Sequence, residues 1–224
     1  MNVIITGSTG MVGQAVLIEC LEDSSVNEVL VLNRSKLDLE HPKLKELLIS
    51  DFSDLSSYEA QLNGYQACFH CMGVSVVGMN EDDYTKITFG YSKELFDCLY
   101  KINPEMTVTY VSGAGTDSTE NGSQMWARVK GKTENYMLNR GFKDAYAFRP
   151  GAILPEKGVK SKTTVYNILY IVLRPFFPLM RKLKNVTTSS SFGQAMLHVC
   201  KHPDATKVLE AQDINRIAKS HLNV

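Results

Sequence analysis

Residues 6–13 read Thr-Gly-Ser-Thr-Gly-Met-Val-Gly and follow directly on the apolar run Val3-Ile4-Ile5. A buried strand that turns through glycines into an amphipathic helix leaves backbone N–H groups and a helix N-terminus facing the turn. That arrangement attracts a pyrophosphate. Gly7 permits the tight turn, Gly10 lets the backbone approach a ligand with no Cβ in the way, and Gly13 lets helix and strand pack closely. The spacing is G-x-x-G-x-x-G rather than G-x-G-x-x-G. Glycine-rich turns are common, but this one lies between the first strand and the first helix. It therefore points to a nucleotide site built from Thr6, Gly7, Ser8, Thr9, Gly10, Met11, Val12 and Gly13.

Strand-like apolar runs then alternate with helical patterns along the chain. The pattern predicts strands near 2–6, 28–33, 45–50, 65–71, 107–112, 144–149 and 207–211. Helices are predicted near 11–22, 54–62, 82–102, 123–140, 164–174, 190–201 and 213–221. Ser53 or Asp54 and Asp213 are placed to cap helices, and Gly141 to end one. Such alternation argues for βαβ units. The expected fold is an α/β, doubly wound Rossmann-type parallel sheet with a small C-terminal substrate-covering segment. A chain of 224 residues suits a single domain over 1–224, with 151–205 supplying the small lid region. Ligands bind at the carboxyl ends of such strands. Functional residues are thus expected at 6–13, 33–35, 51–52, 71–75, 112–117 and 149–153.

Formal net charge is zero, and no Lys/Arg cluster is interleaved with aromatics, which argues against a nucleic-acid partner. No secretory leader is evident, since residues 2–6 already read as a core strand. Five cysteines without a pairing pattern suit a reducing cytosol, so a cytoplasmic location is expected. Cys68-Phe69-His70-Cys71 has the C-x-x-C spacing of redox or zinc sites. It sits in a strand-like run, where residues three apart point to opposite faces, and no second ligand pair exists. Core packing is expected there, and no metal site.

The second strand ends in Asn33-Arg34-Ser35. Dinucleotide folds that take NAD place an acidic residue at this end, while an arginine accommodates the 2′-phosphate of NADP. Arg34 offers a planar, permanently charged fork for phosphate and Ser35 a hydroxyl. NADP is the expected cofactor, ahead of NAD. Asp51-Phe52 after the third strand either holds the adenine or caps the following helix.

Together the turn of residues 6–13, Asp51-Phe52, Cys71-Met72-Gly73, Val111-Ser112-Gly113, Val129-Lys130-Gly131 and Arg149-Pro150-Gly151 resemble the short-chain dehydrogenase/reductase superfamily. More narrowly they resemble its atypical members, similar to Tat-interacting oxidoreductases and compact nucleotide-sugar epimerases. The resemblance implies a Y-x-x-x-K on the helix after the fifth strand. There the lysine holds the nicotinamide ribose and lowers the tyrosine pKa, the tyrosine exchanges a proton with substrate, and a serine polarises the substrate oxygen. Lys130 matches the lysine and Ser112 the serine, with Gly113 in its place if the register shifts by one. Position 126 is Trp, whose indole N–H is no general acid near neutral pH. Trp126 is expected at the substrate pocket, either stacking over nicotinamide or packing as a lid. The resemblance also implies that Pro150, Gly151, Ala152 and Ile153 contact the carboxamide. Arg149 either braces that loop or binds substrate. The resemblance therefore implies an oxidoreductase-like protein, or alternatively a catalytically silent NADP(H)-sensing module acting through a partner. Its small-molecule substrate is not encoded in any recognisable pattern.

Residues 163–184 include the apolar run Val165–Leu173, followed by Arg174-Pro175-Phe176-Phe177-Pro178 and a basic stretch. The run is too short to span a bilayer. Three readings stay open: a cover completing the core and substrate pocket, a homodimer or protein-partner surface, and a peripheral membrane contact.

Overall fold

The computed structural model describes residues 1–159, 170 and 172–222. Seven parallel strands form the main sheet: β1 (Asn2–Thr6), β2 (Glu28–Asn33), β3 (Leu44–Leu48), β4 (Ala67–His70), β5 (Thr107–Val111), β6 (Asp144–Arg149) and, near the C-terminus, β9 (Val208–Glu210). Their order is β3-β2-β1-β4-β5-β6-β9, so the winding reverses between β1 and β4. The crevice at such a reversal is where doubly wound sheets bind ligands. The expected Rossmann-type α/β architecture is present.

Burial explains why the central strands read as continuous apolar runs: helices cover both faces. Val3, Ile5, Val29, Val31, Phe69 and Phe148 face one core, with Phe192 and Ile214. Ile4, Leu30, Leu32, Cys68 and Ala147 face the other, with Phe96 and Met137. The first core lies under α1 (Met11–Glu22), α7 (Ser189–Lys201) and α8 (Ala211–His221). The second lies under α4 (Tyr91–Ile102) and α5 (Met125–Leu138). Cys68 and Cys71 pack toward opposite faces, and all five cysteines are free. Among the described residues no His, Cys, Asp and Glu cluster could hold a metal ion.

Several boundaries differ from the sequence reading. The 82–102 helix is α3 (Glu81–Thr85), a π-helical turn (Lys86–Gly90) and then α4. The 54–62 segment is a 3₁₀ turn (Ser56–Tyr58) followed by the short α2 (Glu59–Leu62). The final helix begins two residues early, because Glu210 is its N-cap and the Asp213 carboxylate accepts from the Glu210 amide (3.3 Å) in a capping box. Two unforeseen short strands, β7 (Ala152–Leu154) and β8 (Val186–Thr188), pair in parallel as a separate ribbon. Within 151–205 the ribbon is a separate sheet that joins the first core through Ile153, while α7 packs on α1 in the same core. The helix expected at 164–174 lies largely outside the described residues. No described helix is long and apolar enough to cross a membrane.

Candidate functional site

The glycine turn occupies the β1 end of the crevice. Gly7 has φ +70°, and a Cβ there would come 2.6 Å from the Cys71 carbonyl oxygen. It is therefore required both by conformation and by the close approach of the β4 end. A Cβ on Gly13 would lie 2.2 Å from the Gly7 carbonyl oxygen, so Gly13 is what seats α1 on the turn. Gly10 differs from both. Its φ is −88°, and a Cβ there would meet only the Gly7 carbonyl, at 3.4 Å. Neither backbone strain nor a protein neighbour demands glycine at this position; the space it leaves opens into the crevice. Gly10 is also the N-cap of α1, with no side-chain cap and no acid in the first turn. The amides of Met11, Val12 and Gly13 accordingly start the helix without a carboxylate competing for them.

The crevice beside the turn has a volume of about 200 Å³. Gly7, Thr9, Gly10, Asn33, Arg34, Phe52, Cys71, Met72 and Gly73 line it, as the sequence led one to expect. Leu32, Val74, Ile87 and Tyr91 also line it. The last two come from the π turn and the start of α4, which periodicity alone does not reveal, because a π turn breaks the 3.6-residue repeat. Ser8 and Asn33 are buried against each other, with Asn33 Nδ2 donating to Ser8 Oγ at 2.8 Å. These side chains tie the turn to the end of β2, so any ligand contact from Ser8 is through its backbone. Arg34 is exposed at the rim, and no carboxylate among the described residues pairs with it. Ser35 is exposed just beyond it. The Asp51 carboxylate accepts from the Ser53 amide (2.9 Å) and hydroxyl (2.8 Å), bonds that hold its pKa below the usual value. It caps its own turn while Phe52, buried, lines the crevice.

Behind the crevice, His70 bridges Thr6 Oγ1 (2.7 Å) and Ser92 Oγ (2.8 Å). Burial pushes its pKa down to about 3, so it is a neutral tie between β1, β4 and α4.

At the β5–β6 end, Lys130 of α5 donates to the Ser112 carbonyl oxygen. Burial holds its ammonium at about 8, below lysine's ordinary value, against an opposing pull from Glu134. The Ser112 hydroxyl is turned inward, donating to the Glu134 carboxylate. Glu134, fully buried, is paired with Arg149, whose Nε lies 2.9 Å from Glu134 Oε1. Of the two readings open for Arg149, the geometry shows the bracing one, and the Ser112 hydroxyl donates its proton to Glu134. Gly113 faces open space, since a Cβ there meets nothing within 4 Å. Glu134 escaped the sequence reading. Its signal is the four-residue step from Lys130, which places both on one face of α5.

Trp126 is half-buried and lies over the β5–α5 loop, its Cη2 3.6 Å from the position of a Gly115 Cβ. It stands one helical turn before Lys130. The 150–153 segment is anchored to the protein. Pro150 O accepts from the Ala114 amide (2.9 Å), and the Ala152 amide donates to Asn185 O (3.0 Å). Gly151 lets that carbonyl approach, for a Cβ would lie 2.2 Å from it. Ile153 is buried in the first core.

Residues 3–128 match the model of the NAD dependent epimerase/dehydratase family. Protein HTATIP2 of Rattus norvegicus is 25% identical over 158 residues, which span 70% of this chain and 64% of the relative. The match thus covers less than two thirds of that relative's length. The oxidoreductase ylbE from Lactococcus lactis superposes with a TM-score of 0.67 at 16% identity, covering 100% of this chain and 98% of that one. Uronate dehydrogenase from Agrobacterium tumefaciens does so with a TM-score of 0.66 at 16% identity, covering 93% and 75%. A mutant of the latter is known complexed with NAD. At these identities the structural likenesses establish the fold.

Proposed function

The chain belongs to the NAD dependent epimerase/dehydratase family, and from that premise we propose that it binds NADP(H) as an oxidoreductase-like protein of the atypical short-chain dehydrogenase/reductase type. One observation carries the reading. Gly10 is a glycine that neither its conformation nor any protein neighbour requires, at the uncapped start of α1 in the winding-reversal crevice. A pyrophosphate supplies the reason for it. The residues fit the rest of a dinucleotide. Phe52, Met72, Ile87 and Tyr91 offer an apolar slot for an adenine, Arg34 a free guanidinium for a 2′-phosphate, and Lys130 an ammonium for a ribose hydroxyl. The cofactor, when bound, supplies hydride chemistry. The chain's part is to orient it between Arg34 and Trp126.

A second reading, a cofactor-binding regulatory module without turnover, is favoured by two positions. Trp126 stands where relatives of the superfamily carry the proton-donating tyrosine, and the Ser112 hydroxyl is committed to Glu134. A turnover assay with NADPH and a carbonyl panel separates the two, since a module of this kind binds cofactor without consuming it. The five free cysteines suit a reducing cytoplasm.

Calorimetric titration tests the cofactor assignment. NADPH is expected to bind more tightly than NADH, and Arg34→Ala to narrow the difference by roughly 1–3 kcal/mol, as for loss of a charge-assisted hydrogen bond. Gly10→Val is expected to abolish binding of both, because its branches fill the pyrophosphate position. Equal affinity for the two cofactors would overturn the NADP assignment, and undiminished binding to Gly10→Val the site itself.

A further inference from the structure

Residues 172–184 lead into β8 through a 3₁₀ turn (Arg174–Phe176) and the short α6 (Phe177–Met180), with Tyr170 just before them. The segment is apolar on both sides. Tyr170, Leu173, Phe177 and Met180 pack inward on Leu154 and Val186. Val172, Phe176, Leu179 and Leu183 face out, 63%, 58%, 66% and 56% exposed. Val172, Phe176 and Leu179 stand four and three apart along the helical stretch and Leu183 follows in the turn past Met180, so the four make an exposed apolar stripe along one short segment. Single exposed hydrophobics need no explanation, but a contiguous stripe does.

The segment's own charged residues are all of one sign. Arg174, Arg181, Lys182 and Lys184 flank the stripe, all exposed. Among the described residues only Arg181 of these four meets a carboxylate, Glu156 at 2.5 Å. From 157 to 203 the sequence holds eight Lys and Arg residues and no Asp or Glu, although the whole chain is neutral.

We propose that this face docks on the surface of an anionic phospholipid bilayer, with Phe176, Leu179 and Leu183 at the acyl boundary and Arg174, Lys182 and Lys184 among the headgroups. An apolar stripe with a cationic rim matches the two layers of such a surface, and long basic side chains reach headgroups while their stems cover apolar area. A second copy of the chain is the poorer occupant, because a two-fold contact sets the same patch against itself and brings the basic rims together unpaired. Docking brings the nucleotide fold to the membrane by a short link: Asn185, immediately after the stripe, accepts from the Ala152 amide beside Gly151. The inference stands independently of the cofactor assignment.

Vesicle co-sedimentation tests it. The protein is expected to sediment with phosphatidylcholine vesicles containing phosphatidylserine, to stay in solution with phosphatidylcholine alone, and to be released by added salt. Lys182→Gln with Lys184→Gln is expected to weaken partitioning about fivefold per lysine. Phe176→Ser with Leu179→Ser is expected to weaken it also, with the thermal midpoint unchanged because both residues are exposed. Three results would overturn the proposal: no sedimentation with the phosphatidylserine vesicles, equal sedimentation of both double variants and the unaltered protein, or a dimer seen by light scattering that Phe176→Ser with Leu179→Ser disperses.

Discussion

Lys130, Glu134, Ser112 and Arg149 form one connected group, and the charge inside it sets three expectations. Lys130 has its folded-state pKa lowered to about 8, so between pH 8 and lysine's ordinary value the unfolded chain holds a proton that the folded one has released. Stability contributed by this residue therefore rises with pH across that window. Buried cysteines and tyrosines with raised pKa values act in the opposite sense, so the comparison must be with Lys130→Met. The stability of the unaltered protein minus that of the variant is expected to rise by about 3 kcal/mol from pH 8 to pH 10.5, read by urea denaturation. A flat difference contradicts the burial. Glu134→Gln leaves Arg149, 12% exposed at its side chain, with only the more distant Glu210 carboxylate, at 3.7 Å, as counter-charge. It should cost about 3 kcal/mol by the same measurement, and a neutral outcome would remove the bracing role. Trp126→Tyr returns a phenol one turn before Lys130. NADPH-dependent carbonyl reduction is expected to rise by up to about 10²–10⁴-fold, more when combined with Gly113→Ser, for which the loop has room. Strong reduction by the unaltered protein would show that another group donates the proton.

At the scale of elements, α5 is held by Gly131, whose packing role the sequence did not declare. A Cβ on Gly131 would come 1.8 Å from the Asp117 carbonyl oxygen, so the helix lies directly on the loop that carries Gly113 and Gly115. Gly131→Ala is expected to destabilise by about 1–3 kcal/mol or more through overpacking, where an exposed helical Gly→Ala would stabilise. The denaturation midpoint decides the sign. This contact also shows where sequence reading stops. The strands were legible because burial on both faces makes Val3-Ile4-Ile5 and Val29-Leu30-Val31-Leu32 continuously apolar, and Gly7 and Gly13 because strand-turn-helix geometry needs them. The direction of the Ser112 hydroxyl was not legible, since a hydroxyl at a strand end does not declare which way it turns; that depended on Glu134, the one acidic residue of α5, which is fully buried. Ile87 and Tyr91 were hidden by the π turn, and β7 and β8 by their shortness, three residues each.

At the scale of the molecule, two apolar cores clamp a parallel sheet whose winding reversal opens one crevice, and the chain places unlike groups at its ends. Arg34 stands at the β2 end, with Gly10 at the turn. Lys130 and Trp126 stand along α5 beyond β5. Trp126 is the chain's one tryptophan, so its emission reports on that end alone. The most direct test excites Trp126 while NADPH is titrated and reads energy transfer to the reduced nicotinamide. A cofactor with its phosphates at Gly10 and its nicotinamide toward Lys130 predicts saturable quenching of Trp126 with matching sensitised nicotinamide emission, lost in Gly10→Val. Saturable NADPH binding that leaves Trp126 emission unchanged would contradict that placement, and no binding at all would contradict the cofactor site.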